Sequence, residues 1–117
     1  MKLKEIAAIV EGHIVYNPTF DLEVEEAFAS DLMSDVLALA NPDMLLITGL
    51  INMQAIRTAE MADMPAILFV RGKLPTEEMI ALAREANIAI LVSPYTMYET
   101  CGLLYGAGLR GKGKIVN

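Results

Sequence analysis

At 117 residues the chain has the length of one domain able to bury a core without staples, and its one cysteine excludes an intrachain disulfide. The net charge is −6, and cations gather only near Arg71–Lys73 and Arg110–Lys114, which excludes a basic stripe for nucleic acid. Charges also interrupt every apolar stretch before the ~20 residues of a membrane span, so a cytoplasmic protein without a membrane partner is expected.

The opening residues lack a signal-peptide pattern and read as a first helix marked by Leu3, Ile6, Ala7 and Val10. Gly12 is expected to stop it in the left-handed conformation. His13–Tyr16 and roughly Val24–Ala29 read as strands, with Asp21, Glu23 and Glu25 alternating against Phe20, Leu22 and Val24 as a solvated face. A second helix carries Met33, Val36, Leu37 and Ala40 on one face, entered through Asp31 or Ser34 and closed before Pro42. Apolar runs at Met44–Ile47, Ala66–Val70 and Ile88–Val92 are too short for buried helices and read as strands covered on both faces.

Between them, residues 52–63 predict a third helix with Met53, Ile56, Ala59 and Ala62 inward and Arg57 and Glu60 outward. A fourth follows Pro75 and Thr76, with Met79, Leu82, Ala83 and Ala86 on one face and Glu77 and Glu78 near its positive end. A fifth begins at Thr96, whose spacing to Glu99 is that of a capping box. Strands alternating with helices imply parallel pairing and a three-layer α/β/α domain over residues 1–117, with a mainly parallel sheet of about five strands. The eight methionines read as core filling.

Ligands of open parallel sheets bind beyond the carboxyl ends of the strands. That rule selects Thr48, Gly49 and Asn52, then Arg71, Gly72 and Lys73, then Ser93, Tyr95 and Thr96, with Asp31–Ser34 less central. Glycines, hydroxyls, two cations and helix-start amides there suit a small anionic ligand.

The chain also resembles the DRTGG-domain proteins. The resemblance is carried by Asp31-Leu32-Met33-Ser34-Asp35-Val36-Leu37, Leu46-Ile47-Thr48-Gly49, Ala66 through Pro75, and Ile90-Leu91-Val92-Ser93-Pro94-Tyr95-Thr96. Leu50-Ile51 stands where the family has its Asp-Arg pair, and Val70-Arg71-Gly72 where it has Thr-Gly-Gly. Related domains accompany CBS domains in pyrophosphatases, occur in phosphate acetyltransferases, and are similar to the amino-terminal domain of HPr kinase/phosphorylase. The resemblance implies a regulatory or architectural role.

Other motifs carry less chemistry. Gly106 through Lys112 has phosphate-loop spacing, but Gly113 replaces the magnesium-binding hydroxyl and the run follows a helix instead of opening one. His13 has no partner at metal-ligand spacing, and Cys101 reads as a buried small residue. Gly102 and Gly106 would admit a neighbouring helix, either within the subunit or across a dimer. The expectation is a non-catalytic module without cofactor or metal, forming a homodimer and binding a small anionic or nucleotide-like ligand. The alternative is a protein-interaction module without a ligand.

Overall fold

The computed structural model describes residues 1–19 and 21–116; Phe20, expected on a strand, and Asn117 lie outside it. The elements run α1 (Leu3–Ile9), β1 (His13–Tyr16), β2 (Ala27–Ala29), α2 (Met33–Leu39), β3 (Leu45–Thr48), α3 (Met53–Met61), β4 (Ala66–Phe69), α4 (Glu77–Ala86), β5 (Ala89–Val92) and α5 (Met97–Gly106). The sheet order is β1-β5-β4-β3-β2. β2 through β5 are parallel, and β1 joins the β5 edge antiparallel. Among the described residues no helix is long and apolar enough to cross a membrane.

The three inner strands are buried along their whole length, which is why they read as unbroken apolar runs. Their alternate residues divide between two cores. Leu46, Ile67, Phe69, Ile90 and Val92 pack with Met33 and Val36 of α2, Ala55, Ile56 and Ala59 of α3, and Met79 and Ala83 of α4. Leu45, Ile47, Leu68 and Leu91 pack on the other face with Leu3, Ile6 and Ala7 of α1 and Leu104 of α5. Met33, Met44, Met64 and Met79 are buried, so half of the methionines fill the core.

Several local expectations are corrected. The left-handed residue after α1 is Glu11, at φ 54°, and not Gly12. Gly12 is needed for another reason: a Cβ there would lie 1.8 Å from the Val92 carbonyl oxygen. Leu32, not Asp31 or Ser34, precedes the first helical residue of α2, and the Ser30 hydroxyl accepts its N–H at 3.0 Å. Leu37 points outward and is 48% exposed. The second strand contracts to Ala27–Ala29, while Asp21, Glu23 and Glu25 are exposed as expected. Thr96 stands at the α5 N-cap, but its side chain makes no capping bond. Asn52 and Thr76 do cap, accepting from Ala55 N–H at 3.1 Å and Met79 N–H at 3.2 Å.

The phosphate-loop spacing is equally local. Gly106 ends α5, and beyond it Arg110 bridges alongside Glu26 on the outer side of β2. The Lys112 ammonium donates to the Leu39 carbonyl at 2.6 Å, so it satisfies the carbonyl end of α2.

Candidate functional site

Because β2 through β5 run parallel, their carboxyl ends and the starts of α2 through α5 share one edge of the sheet. The antiparallel β1 brings the α1–β1 turn, with Glu11 and Gly12, to the same edge. α4 follows β4 onto one face, whereas α5 follows β5 onto the other. The chain therefore changes faces between β4 and β5, where an open α/β sheet leaves room for a ligand.

The expected site residues are spread along this edge, with only Gly72 and Ser93 among them lining the cleft between β4 and β5, and many are already occupied. The Asp31 carboxylate accepts from the Thr48 hydroxyl at 3.0 Å and from Gly49 N–H at 2.7 Å. Thr48 in turn accepts from Leu50 N–H at 3.1 Å, and Ser93 accepts from Tyr95 N–H at 3.2 Å, the same hydroxyl turn at two strand ends. Ser93 and Thr100, both buried, share a 2.9 Å hydroxyl contact. These side chains hold loops in place and leave little capacity for a ligand. The Asn52 side-chain oxygen is committed to its cap.

The two cations part company. Arg71 and Gly72 both lie in the left-handed region, at φ 67° and 69°. That turn aims Arg71 N–H at the Tyr95 carbonyl, 2.7 Å, and Gly72 N–H at the Ser93 carbonyl, 2.8 Å. These two amides tie the β4–α4 loop to the β5–α5 loop. The Arg71 guanidinium donates to the Gly49 carbonyl at 2.9 Å, lying where a Cβ on Gly49 would be 3.1 Å away. Arg71 is a structural cross-tie between two loops. Lys73 is exposed and has no such tie among the described bonds.

What the sequence pattern missed is the contribution of the α1–β1 turn. Glu11, Gly12 and His13 join Gly72, Leu74, Val92, Ser93 and Pro94 around a cleft of about 210 Å³. The Tyr95 hydroxyl donates to the Glu11 carboxylate beside it. This bond raises the Tyr95 phenol above its ordinary value of 10.0, with desolvation and the negative charges of Glu11 and Glu99 acting the same way. A raised acid pKa means that the folded state holds the proton more tightly, so the latch contributes below that ordinary value and weakens as pH rises through the folded one. Glu11→Gln should remove an alkaline-shifted phenolate component from the ultraviolet titration. An unchanged titration would show that Glu11 does not set this value. By contrast, burial pushes the half-buried Cys101 thiol up, opposite to the activation a nucleophile needs.

No family model and no curated protein matches the chain. Among solved structures it is similar to the CBS and DRTGG domains of the regulatory region of Clostridium perfringens pyrophosphatase, complexed with the activator diadenosine tetraphosphate. The TM-score is 0.76 at 13% identity, over 88% of this chain and 45% of that one, so this chain spans less than half of its neighbour. With its sheet order, its two helical layers and its strand-end loops described, the chain has the α/β fold found in that regulatory region.

Proposed function

We propose that the chain is a DRTGG-like regulatory module without catalysis of its own, acting as a cytoplasmic homodimer and binding a small anionic or nucleotide-like ligand. The observation that carries this reading is the cleft at the point where the helices change faces. Leu74, Val92 and Pro94 supply apolar wall for a ring, and Lys73 sits on the segment between Gly72 and Leu74 where a phosphate would gain from its charge. At about 210 Å³ the cleft is smaller than the ~300–1,000 Å³ of pockets that enclose a drug-sized ligand. It fits a base or a sugar-phosphate, with the rest of a larger nucleotide outside. The nucleotide activator of the pyrophosphatase region supports that ligand class.

Titration calorimetry with ATP and with diadenosine tetraphosphate tests the reading. Saturable binding is expected, with the nucleotide recovered intact. Lys73→Ala should weaken it at least about tenfold, equivalent to ~1.4 kcal/mol, with little change in melting temperature. Binding unaffected by Lys73→Ala would place the ligand outside the cleft. No heat from either nucleotide at millimolar concentration would leave the interaction module, favoured by the exposed apolar face of α5, as the better reading.

A further inference from the structure

Helix α5 contains two glycines that the subunit does not require. Neither Gly102 nor Gly106 has positive φ, and a Cβ at either would meet nothing within 4 Å. A glycine inside a helix costs roughly 0.5–1 kcal/mol relative to alanine. Of the two uses legible in the sequence, packing against another helix of the same subunit is therefore removed.

The inward side of α5 is taken by Thr100 and Leu104, which turns both glycines outward. Beside them stand Tyr98, 83% exposed, Tyr105, 60% exposed, and Leu103, 38% exposed. Its ten residues include one charge, Glu99, in a chain that carries 15 acidic and 9 basic residues. A glycine-floored, largely apolar helix face with Glu99 as its one charge is unusual on so acidic a protein.

We propose that this face is the homodimer interface, with α5 packing antiparallel against α5 of a second copy about Gly102. The inference rests on the homodimer reading above and supplies its surface. In that arrangement Tyr98 of one copy lies at the level of Gly106 of the other, so a projecting ring meets a gap, twice by symmetry. The level of Glu99 coincides with that of Tyr105, over whose ring the Arg110 guanidinium sits at 4.5 Å. The acidic start of each helix then lies level with the Arg110 that follows the end of the other, and the helix dipoles oppose. At ~150–250 Å² per buried aromatic, the two tyrosines contribute about 300 Å² per copy, a substantial share of the ~800 Å² per partner in a standard interface. Leu103, the glycine backbone and the shallow groove between α5, Ala29 and Arg110 extend the patch.

Light scattering across micromolar concentrations reads the result. The natural sequence should run at twice 12.7 kDa. Gly102→Glu places like charges across the symmetry axis and should weaken the dimer about a hundredfold or more, giving a folded monomer by circular dichroism. Tyr98→Ala, a truncation of an exposed side chain, should weaken it in the same direction. Leu37→Glu, on an exposed apolar residue outside α5, should leave it intact. A dimer that survives both α5 substitutions overturns this interface while leaving the homodimer reading in place. A monomeric natural sequence overturns both.

Discussion

Gly12→Ala is expected to lower the melting temperature by on the order of 10 °C, the largest single effect foreseen for this chain. The methyl group would stand 1.8 Å from the Val92 carbonyl oxygen, 2.9 Å from the carbonyl carbon and 3.3 Å from the Ser93 Cα, all backbone atoms. No side-chain rotation relieves such a contact. β5 is held between β4 and β1, so it is the edge strand β1 that must give, starting at the His13–Val92 pair. Overpacking of this kind costs typically 1–3 kcal/mol. Because Gly12 and His13 also line the cleft, nucleotide affinity should fall with stability. Gly102→Ala provides the contrast within a single copy, since its methyl group meets nothing of its own subunit. If Gly12→Ala melted within about 2 °C of the natural protein, well under 1 kcal/mol, the close approach would be wrong.

Asp31→Ala should be the second most damaging substitution, at about 2 kcal/mol in urea denaturation. Its carboxylate is the acceptor for both the Thr48 hydroxyl and Gly49 N–H, and Thr48 is 0% exposed. Charge-assisted bonds contribute roughly 1.5–3 kcal/mol each, but the exposed rim on which Asp31 sits lets water replace part of that. Asp31→Asn keeps an acceptor oxygen and should cost about half as much. A midpoint unchanged in Asp31→Ala would show that water satisfies both donors. The effect reaches the candidate site, because Gly49 also carries the carbonyl to which Arg71 is tied.

The legibility of the fold followed the range of the interactions that make it. Helical periodicity depends on contacts three and four residues apart, so α3 and α4 appear in the sequence with their inward residues Ile56, Ala59, Met79 and Ala83 correctly placed. The apolar runs of β3, β4 and β5 are local for the same reason, since a strand covered on both faces has no polar side to write. Leu37 misled because an apolar side chain satisfies a helical pattern whether or not anything covers it.

The candidate site was legible only as a set of loops. The carboxyl-end rule found the strand-end loops, but which of their groups were free depended on partners far along the chain. Asp31 meets Gly49 across 18 residues, Arg71 meets Gly49 across 22, and Tyr95 meets Glu11 across 84. Spacing in sequence carries no information about such distances, so Arg71 and Lys73 looked like a pair when one cross-ties loops and the other stands exposed.

By itself, then, the sequence determined the element order, the α/β class and the buried strands, because each follows from local pattern and composition. Tertiary structure alone decided that β1 closes the sheet antiparallel, that Gly12 serves close approach to β5, and that the α5 glycines face outward. Those outcomes depend on which backbone lies against which, and only the packed chain supplies that.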